Sequence, residues 1–268
     1  MRHSNIHTHT TFSDGKNTAE EMVQKALELS FVSLGFSEHS ESAFDPGYSA
    51  VKEDYPRYRK EVARLKEKYE GQIELFCGIE QEFYSDEVSD EFEYTIGSVH
   101  YIRVKDEYFP MDASLEGQQK FIQGYGKGDP MEMAKRYFDT VVENCQKRKF
   151  EVQGHFDLIQ KYGLFDGAGE EYQAIALAAV DEVLKNVPFL EINCGAIGRG
   201  YRKTPYPDEF ILKHLQKKGA KLVLNGDSHS VDTLDTHFAQ SVEDLKRIGF
   251  SSLWQLRKTG FVEVPIKE

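Results

Sequence analysis

Two histidines near the start of the chain stand one residue apart, in the segment NIHTHTTFSDG at 5–15. Side chains at positions i and i+2 of a strand point to the same side, so His7 and His9 can approach one ligand together. A carboxylate, Asp14, follows in the same segment. Imidazole and carboxylate groups are ligands for Zn²⁺, Fe²⁺ and Mn²⁺. The segment therefore indicates one edge of a metal site, although an isolated pair of this kind is weak evidence.

Further residues of the same chemical types come at the ends of short apolar runs. They are His39, Glu80, His100, His155, Asp227 and His229. Each alone has an ordinary explanation, such as a structural histidine, a helix N-cap or a surface charge. Together they are hard to explain in that way, because the carboxyl ends of parallel strands converge on one face, where active sites are built. We therefore expect one metal cluster at that face.

The elements that must position these residues alternate along the chain as apolar runs and amphipathic stretches, the pattern of a parallel α/β fold. Seven runs are predicted as strands, at 4–9, 32–39, 73–80, 95–102, 151–157, 188–195 and 220–229. Helices are predicted at 17–30, 56–69, 129–148, 170–186, 208–219 and 239–249. The connection over about 103–150 is long, and IQGYGKGDP at 122–130 is predicted as a loop. With no repeat or linker in view, residues 1–268 are predicted to form a single domain.

Composition restricts the possible partners. The net charge of -12 argues against a nucleic-acid groove, which needs a basic stripe, and favours a small substrate that carries positive charge. Cys77, Cys145 and Cys194 form no CxxC pair, which is typical of reduced, buried cysteines. No apolar run approaches membrane-spanning length and no signal peptide is recognisable. These patterns predict a cytoplasmic protein with no membrane partner and leave the oligomeric state open.

Six segments together resemble the polymerase and histidinol phosphatase (PHP) family of metallophosphoesterases, in particular its histidinol-phosphate phosphatase branch. They are HTHTTFSDG at 7–15, SEH at 37–39, GIEQEF at 78–83, GSVH at 97–100, GHFD at 154–157 and GDSH at 226–229. The segment EINCGAIGRGYRKTPYP at 191–207 adds a less specific likeness. The resemblance implies a distorted (β/α)7 barrel with the metal site at the carboxyl ends of its strands. Seven strands are also the number that the apolar runs predict.

The resemblance further implies three divalent transition-metal ions, with Zn, Fe and Mn all open. One metal would be held by His7, His9, Glu80 and Asp227. Glu80 would bridge to a second metal, which His100 and His155 would also bind. A third would be held by Asp14, His39 and His229. Some relatives have a histidine in the position of Asp14, and a carboxylate there favours harder ions at the third site.

Cations held in this way favour hydrolysis of a phosphate ester, because they lower the pKa of a bound water and offset the charge of the phosphoryl oxygens. Glu80, Asp227 and His229 are the predicted catalytic residues. The Cys-x5-Arg and DxDxT signatures of phosphatases that form a phosphoenzyme are absent from the sequence. Cys77 and Cys194 are accordingly interpreted as packing residues.

The substrate is predicted to be a small phosphate monoester, L-histidinol phosphate, cleaved to L-histidinol and phosphate in histidine biosynthesis. Predicted phosphate contacts are Arg199, Lys161 and Arg202, with Lys203 a further candidate, because basic residues after strand ends can reach the active face. Glu41, Asp45 and Glu82 are candidates for pairing with a cationic leaving group. Two alternatives stay open: a PHP-type enzyme for a nucleotide, sugar phosphate or phosphodiester, and a non-catalytic metal-binding accessory module.

Overall fold

The computed structural model describes residues 2–87, 89–167 and 169–266. The strands are β1 (Ser4–Asn5), β2 (Ser33–His39), β3 (Glu74–Glu82), β4 (Tyr94–Ser98), β5 (Tyr101–Val104), β6 (Glu107–Pro110), β7 (Val152–Gln153), β8 (Phe189–Asn193), β9 (Leu222–Asn225), β10 (Ser252–Arg257) and β11 (Gly260–Pro265). The α-helices are α1 (Ala19–Glu28), α2 (Tyr55–Lys68), α3 (Leu115–Gly124), α4 (Pro130–Lys147), α5 (Glu170–Asn186), α6 (Gly195–Gly198), α7 (Glu209–Lys218) and α8 (Phe238–Ile248). Short 3-10 helices span Lys52–Asp54, Ser89–Glu91, Leu158–Tyr162 and Val231–Thr233.

One sheet carries the predicted strands, in the order β1-β2-β3-β4-β7-β8-β9-β10-β11. Its pairings are parallel from β1 to β10, and only β10 and β11 pair antiparallel. The seven predicted runs supply β1, β2, β3, β4, β7, β8 and β9, so the predicted α/β class is confirmed. Just beyond β1 and β9, an isolated parallel bridge joins Thr8 to Ser228. This bridge brings the first and seventh of these strands together, as a barrel requires.

The long connection after β4 differs from the prediction. The run at 95–102 is not one strand, because it breaks at Val99 and His100 and continues as the separate hairpin of β5 and β6. Residues 122–124, predicted to lie in a loop, form the last part of α3. The C-terminal hairpin of β10 and β11 was not predicted at all. The six predicted helices are all present, as α1, α2, α4, α5, α7 and α8.

Local sequence explains where the helices begin and which side they bury. The capping box predicted for α1 is formed, since the Thr18 side chain accepts from the Glu21 backbone N–H and the Glu21 carboxylate accepts from that of Thr18. Met22 and Ala26 are fully buried on its inner face. Asp129 caps α4 by accepting from the backbone N–H of Met131, and Pro130 occupies the first turn, where no N–H is needed.

Inside the sheet, a small apolar cluster forms the floor below the carboxyl ends of the strands. It consists of Ile6, Phe76, Tyr94, Ile96, Val152, Phe189, Val223 and Leu256. The Tyr94 hydroxyl donates to the carbonyl oxygens of Ile6 at 2.6 Å and Phe36 at 2.9 Å. A Cβ on Gly78 would lie 2.3 Å from the Tyr94 ring, so the glycine makes room for this tyrosine. The floor fixes the three neighbouring strands β1, β2 and β3 against one another.

Among the described residues, no helix is both long enough and apolar enough to cross a membrane.

Candidate metal centre

All nine predicted metal ligands lie at the carboxyl ends of the parallel strands, around one centre. His7 and His9 follow β1, and Asp227 and His229 follow β9. His39 is the last residue of β2 and stands in register with Glu80 of β3, so both side chains leave the sheet at the same level. His100 and His155 come two residues after β4 and β7. The fold thus assembles residues from six strand ends.

Glu80 is the hub of the cluster and is only 1 % exposed. One of its oxygens, Oε2, lies 3.3 Å from His7 Nε2, 3.5 Å from His9 Nε2 and 2.7 Å from His39 Nδ1. The other, Oε1, lies 2.9 Å from His155 Nε2 and 3.4 Å from His100 Nε2. A single carboxylate facing five imidazoles through both oxygens has the shape of a bridging ligand.

Asp14, His39 and His229 form a second group of donors beside the ring of His9. Asp14 Oδ2 lies 3.2 Å from His229 Nε2, and Asp14 Oδ1 lies 3.5 Å from His39 Nε2. The ring of His9 stacks between those of His39 and His229, with centroids 4.2 and 4.3 Å away. Asp227 Oδ1 lies 3.5 Å from His9 Nε2 and so reaches the first group as well.

The donor atoms fit divalent transition metals. Side-chain atoms lie within 4.8 Å of one another in four sets: His9, Asp14, His39 and His229; His7, Glu80 and His155; His7, His9 and Asp227; His39, Glu80 and His100. Two ligands of a tetrahedral site with bonds of about 2.0–2.1 Å stand roughly 3.3 Å apart, which is close to the contacts around Glu80 and Asp14. Among the described residues, the buried ring nitrogens His7 Nε2, His9 Nδ1 and His9 Nε2 have no hydrogen-bond partner. Buried polar atoms are normally paired, so a metal ion fits here as the missing partner of these atoms.

Electrostatics keeps His9 ready to bind. Burial, together with the neighbouring His39 and His229, lowers the pKa of His9 to about 3. An imidazole with this pKa is neutral near pH 7, and a neutral imidazole is the form that coordinates metal. Burial by itself raises the pKa of the Glu80 carboxyl. The neighbouring His7, His39 and His100 lower that pKa by a larger amount, so it lies well below its usual range.

Two buried glutamates that sequence reasoning did not assign to the site orient its ligands. Glu191, on β8, accepts from His7 Nδ1 at 2.8 Å and from the His155 backbone N–H at 2.6 Å. Glu38 accepts from the Thr10 hydroxyl at 2.6 Å and from the Ser13 hydroxyl, and so holds the loop that carries Asp14. Such outer contacts fix the rotation and tautomer of metal-binding side chains.

Gly15 completes that loop. A Cβ at Gly15 would lie 2.4 Å from the backbone oxygen of His9, so only glycine allows the chain to turn back this closely after Asp14. The Lys16 backbone N–H then donates to the carbonyl oxygen of His229 at 2.8 Å. This bond ties the loop that carries Asp14 to the segment that carries His229, so two members of the second group of donors are held together.

A cavity of about 390 Å³ opens above the donors, within the size range of small-molecule sites. Lys161 and Arg199 line it, as predicted for phosphate contacts, and so do Asp45 and Asp112. Arg199 Nη2 donates to Asp227 Oδ2 at 3.0 Å, and Lys161 Nζ donates to the Asp112 carbonyl oxygen at 2.6 Å. Asp112 was not predicted, because nothing near it in the sequence resembles a site.

Three predicted substrate contacts lie outside the lining of this cavity. Glu82 is 2 % exposed, and its Oε2 accepts from the backbone N–H of His100 at 2.8 Å and from His100 Nδ1 at 2.9 Å. Glu41 Oε1 faces the backbone N–H of Lys52 at 3.4 Å. Arg202 donates to the Gln160 carbonyl oxygen at 2.8 Å and pairs with Asp208. In these contacts Glu82 orients His100, and Glu41 and Arg202 hold loops, while direct substrate contact by the three residues stays a prediction.

The chain is similar to known proteins over most of its length. The PHP domain family model matches residues 5–195, which include seven of the nine candidate ligands and end before Asp227 and His229. A probable histidinol-phosphatase of Schizosaccharomyces pombe is 27% identical over 264 residues, covering 89% of this chain and 84% of that protein. The histidinol-phosphatase of Bacillus subtilis is 24% identical over 252 residues, covering 85% and 94% of the two chains.

Solved structures share the fold. A putative histidinol phosphatase from Listeria monocytogenes has a TM-score of 0.76 at 23% identity and covers 88% of this chain and 99% of its own. The histidinol phosphate phosphatase of Lactococcus lactis, in complex with Zn, L-histidinol and phosphate, has a TM-score of 0.74 at 18% identity, covering 97% and 99%.

Proposed function

Because the chain belongs to the PHP domain family, we propose that it is a metal-dependent phosphatase that cleaves L-histidinol phosphate to L-histidinol and phosphate. The observation that carries the proposal is the meeting, in one cavity, of the metal-ligand cluster with the cations of Lys161 and Arg199. Relatives that align over most of their length are named histidinol-phosphatases, which supports the choice of substrate. The ligands come from both ends of the sequence, so we also propose that the chain acts as one domain.

We propose that the centre holds three divalent transition-metal ions. His7, His9, Glu80 and Asp227 would hold one, and Glu80, His100 and His155 a second. Asp14, His39 and His229 would hold the third, and the proximity of His9 to this set allows it to take part. Bound there, the metals would supply Lewis acidity toward phosphoryl oxygens and a hydroxide nucleophile near neutral pH. Zinc is the first candidate, since the Lactococcus lactis enzyme is a zinc complex, and Fe and Mn remain candidates by the same donor chemistry.

The protein side chains would bind and orient the phosphate. Arg199 presents a guanidinium whose side chain is 28 % exposed at the cavity, beside Asp227. Its planar fork suits two phosphate oxygens at once. Lys161 would add a second positive charge from the same cavity lining, where its side chain is 9 % exposed. Glu80, Asp227 and His229 are the proposed catalytic residues, because they combine ligand atoms with a position at or directly below the cavity.

A substrate panel tests this function. Purified protein, loaded with Zn²⁺ or Mn²⁺, is assayed for phosphate release from histidinol phosphate, a nucleoside monophosphate, a sugar phosphate and p-nitrophenyl phosphate, with bis-p-nitrophenyl phosphate as the diester. We expect the highest kcat/KM for histidinol phosphate, by orders of magnitude over p-nitrophenyl phosphate. A preference for the diester or the nucleotide would replace the substrate assignment. Absence of hydrolysis with every compound would favour a metal-binding module.

A further inference from the structure

The part of the cavity lining that is not made by metal ligands contains two cations and two carboxylates. The cations are Lys161 and Arg199, and the carboxylates are Asp45 and Asp112. A phosphate monoester with an amine in its leaving group also carries charge of both signs. The distribution of charge along the lining therefore bears on how such a substrate is oriented.

Only one of these two carboxylates is compensated by a cation. Asp112 Oδ2 lies 3.3 Å from Lys161 Nζ. The nearest described partner of Asp45 is neutral: the hydroxyl of Tyr101 donates to its Oδ2 at 2.7 Å. Within the described part of the chain, no Lys, Arg or His forms an ion pair with Asp45 at 4.0 Å or less. A carboxylate placed in a partly desolvated cavity without a cation favours a cationic ligand.

Asp45 is also held in place relative to the metal centre. Its loop leaves the end of β2 directly after His39 and returns to it, since the Ala50 backbone N–H donates to the His39 carbonyl oxygen at 3.1 Å. A turn fixes Asp45 itself, whose backbone N–H donates to the Ser42 carbonyl oxygen at 2.9 Å. Tyr101, its hydrogen-bond donor, packs edge-to-face on Phe44 with centroids 4.9 Å apart. These contacts hold the Asp45 carboxylate in a defined position in the cavity lining, where it can contact the leaving group of a bound substrate.

We propose that Asp45 is the specificity-determining residue that pairs with the primary ammonium group of the leaving alcohol. This inference rests on the proposed function, because it takes the metal centre and Arg199 as the binding site of the phosphate. Tyr101 occupies one carboxylate oxygen of Asp45 and leaves the rest of its accepting capacity for the ammonium group. The aromatic ring of Tyr48 lines the same part of the cavity and gives the carbon skeleton a surface to pack on. A phosphate ester without the amine would leave Asp45 without its partner.

The test compares histidinol phosphate with an analogue that lacks only the amine and with an unrelated phosphate monoester. At pH 8, where the imidazole is neutral, kcat/KM is measured for histidinol phosphate, for its analogue without the amino group, 3-(imidazol-4-yl)propyl phosphate, and for p-nitrophenyl phosphate. We expect Asp45→Asn to lower kcat/KM for histidinol phosphate about 10- to 100-fold, and the other two by less than about threefold. Tyr101→Phe should produce a smaller loss with the same selectivity. Glu53→Gln, an exposed change in the same connection, is the control.

Product inhibition gives a second measurement. The inhibition constant of L-histidinol should rise in Asp45→Asn, while that of inorganic phosphate stays at the wild-type value. If wild-type enzyme prefers histidinol phosphate but Asp45→Asn weakens all three substrates equally, or none, the inference about Asp45 is wrong and the proposed function stands. If the wild-type enzyme hydrolyses p-nitrophenyl phosphate but not histidinol phosphate, the proposed function falls and the inference falls with it.

Discussion

Replacement of Glu191 by glutamine tests whether the buried carboxylate below the centre controls metal binding. Glu191 is 1 % exposed and accepts four hydrogen bonds, from His7 Nδ1 at 2.8 Å, the His155 backbone N–H at 2.6 Å, Asn193 Nδ2 at 2.7 Å and Asn225 Nδ2 at 2.9 Å. His7 donates through Nδ1 when its Nε2 binds a metal, so all four groups are donors. A glutamine amide keeps one accepting oxygen and turns a donating nitrogen toward the other two donors.

The expected loss of zinc affinity follows from this mismatch between donors and acceptors. A buried donor left without an acceptor costs about 1–3 kcal/mol. Loss of an outer-sphere partner of a metal-binding histidine typically costs about 10- to 100-fold in metal affinity. At about 1.4 kcal/mol per factor of ten, the second range corresponds to about 1.4–2.8 kcal/mol and agrees with the first. We therefore expect Glu191→Gln to bind Zn²⁺ about 10- to 100-fold more weakly, with an intact fold.

The assay is a competition titration of metal-free protein against a chromophoric chelator, together with kcat/KM at limiting and saturating Zn²⁺. Glu191→Gln should lose activity mainly at limiting metal and regain part of it at saturation. Glu116→Gln, whose side chain is 75 % exposed on α3, is the matched control and should behave as wild type. Unchanged zinc affinity and unchanged kcat/KM in Glu191→Gln would refute the argument that this carboxylate orients His7.

Four further outcomes are expected. Purified protein should carry more than one transition-metal equivalent per chain by elemental analysis, and chelation should abolish activity; full activity in chelator would contradict the metallophosphatase proposal. Glu80→Ala should lower kcat at least about 10³-fold while circular dichroism stays unchanged, because it removes the carboxylate that faces five histidines, and near-normal turnover would show that the site is misplaced. Arg199→Ala should lower kcat/KM for histidinol phosphate and p-nitrophenyl phosphate alike, by roughly ten- to more than a hundredfold; a selective loss on one of them would show that it does not bind phosphate. Burial raises the pKa of Cys77 and Cys194 to about 12 and that of Cys145 to about 11, so Ellman's reagent at pH 8 should label them only after unfolding, and labelling of the native protein would contradict their burial.

The candidate ligands could be predicted because each follows an apolar run that is itself a strand. The expected strand alternation does not extend to His7, His9, Asp227 and His229, which follow β1 and β9, but the parallel arrangement still brings these strand ends together. Glu191 could not be predicted in this way. Its partners His7 and His155 are 184 and 36 residues distant along the chain, so no local spacing links them. The only sequence signal is a glutamate inside an otherwise apolar strand, which is a residue that burial normally excludes unless it is paired.

A contact between residues distant in the sequence also explains why the prediction of one strand at 95–102 was wrong. The run TIGSVHYI carries no charged carboxylate, Lys, Arg or Pro and is rich in Ile, Val and Tyr, a composition that predicts one continuous strand. In the structure, the backbone N–H of His100 donates to the Glu82 carboxylate at 2.8 Å instead of to a neighbouring strand, which ends the ladder. Tertiary contacts of a side chain, here Glu82, decided the backbone path.

The bridge between Thr8 and Ser228 has a consequence for the order in which the protein matures. The His9 backbone N–H donates to the Ser228 carbonyl oxygen at 2.9 Å, and the Ser228 N–H donates to that of His7 at 3.1 Å. During synthesis, His7 and His9 leave the ribosome long before Asp227 and His229 exist, and a domain generally folds as a unit. Pairing across more than two hundred residues also carries a large loop-closure cost, which slows the step. A metal centre that uses all of these side chains could therefore be completed only late in the life of the polypeptide, after Asp227 and His229 have been made and paired with the first strand.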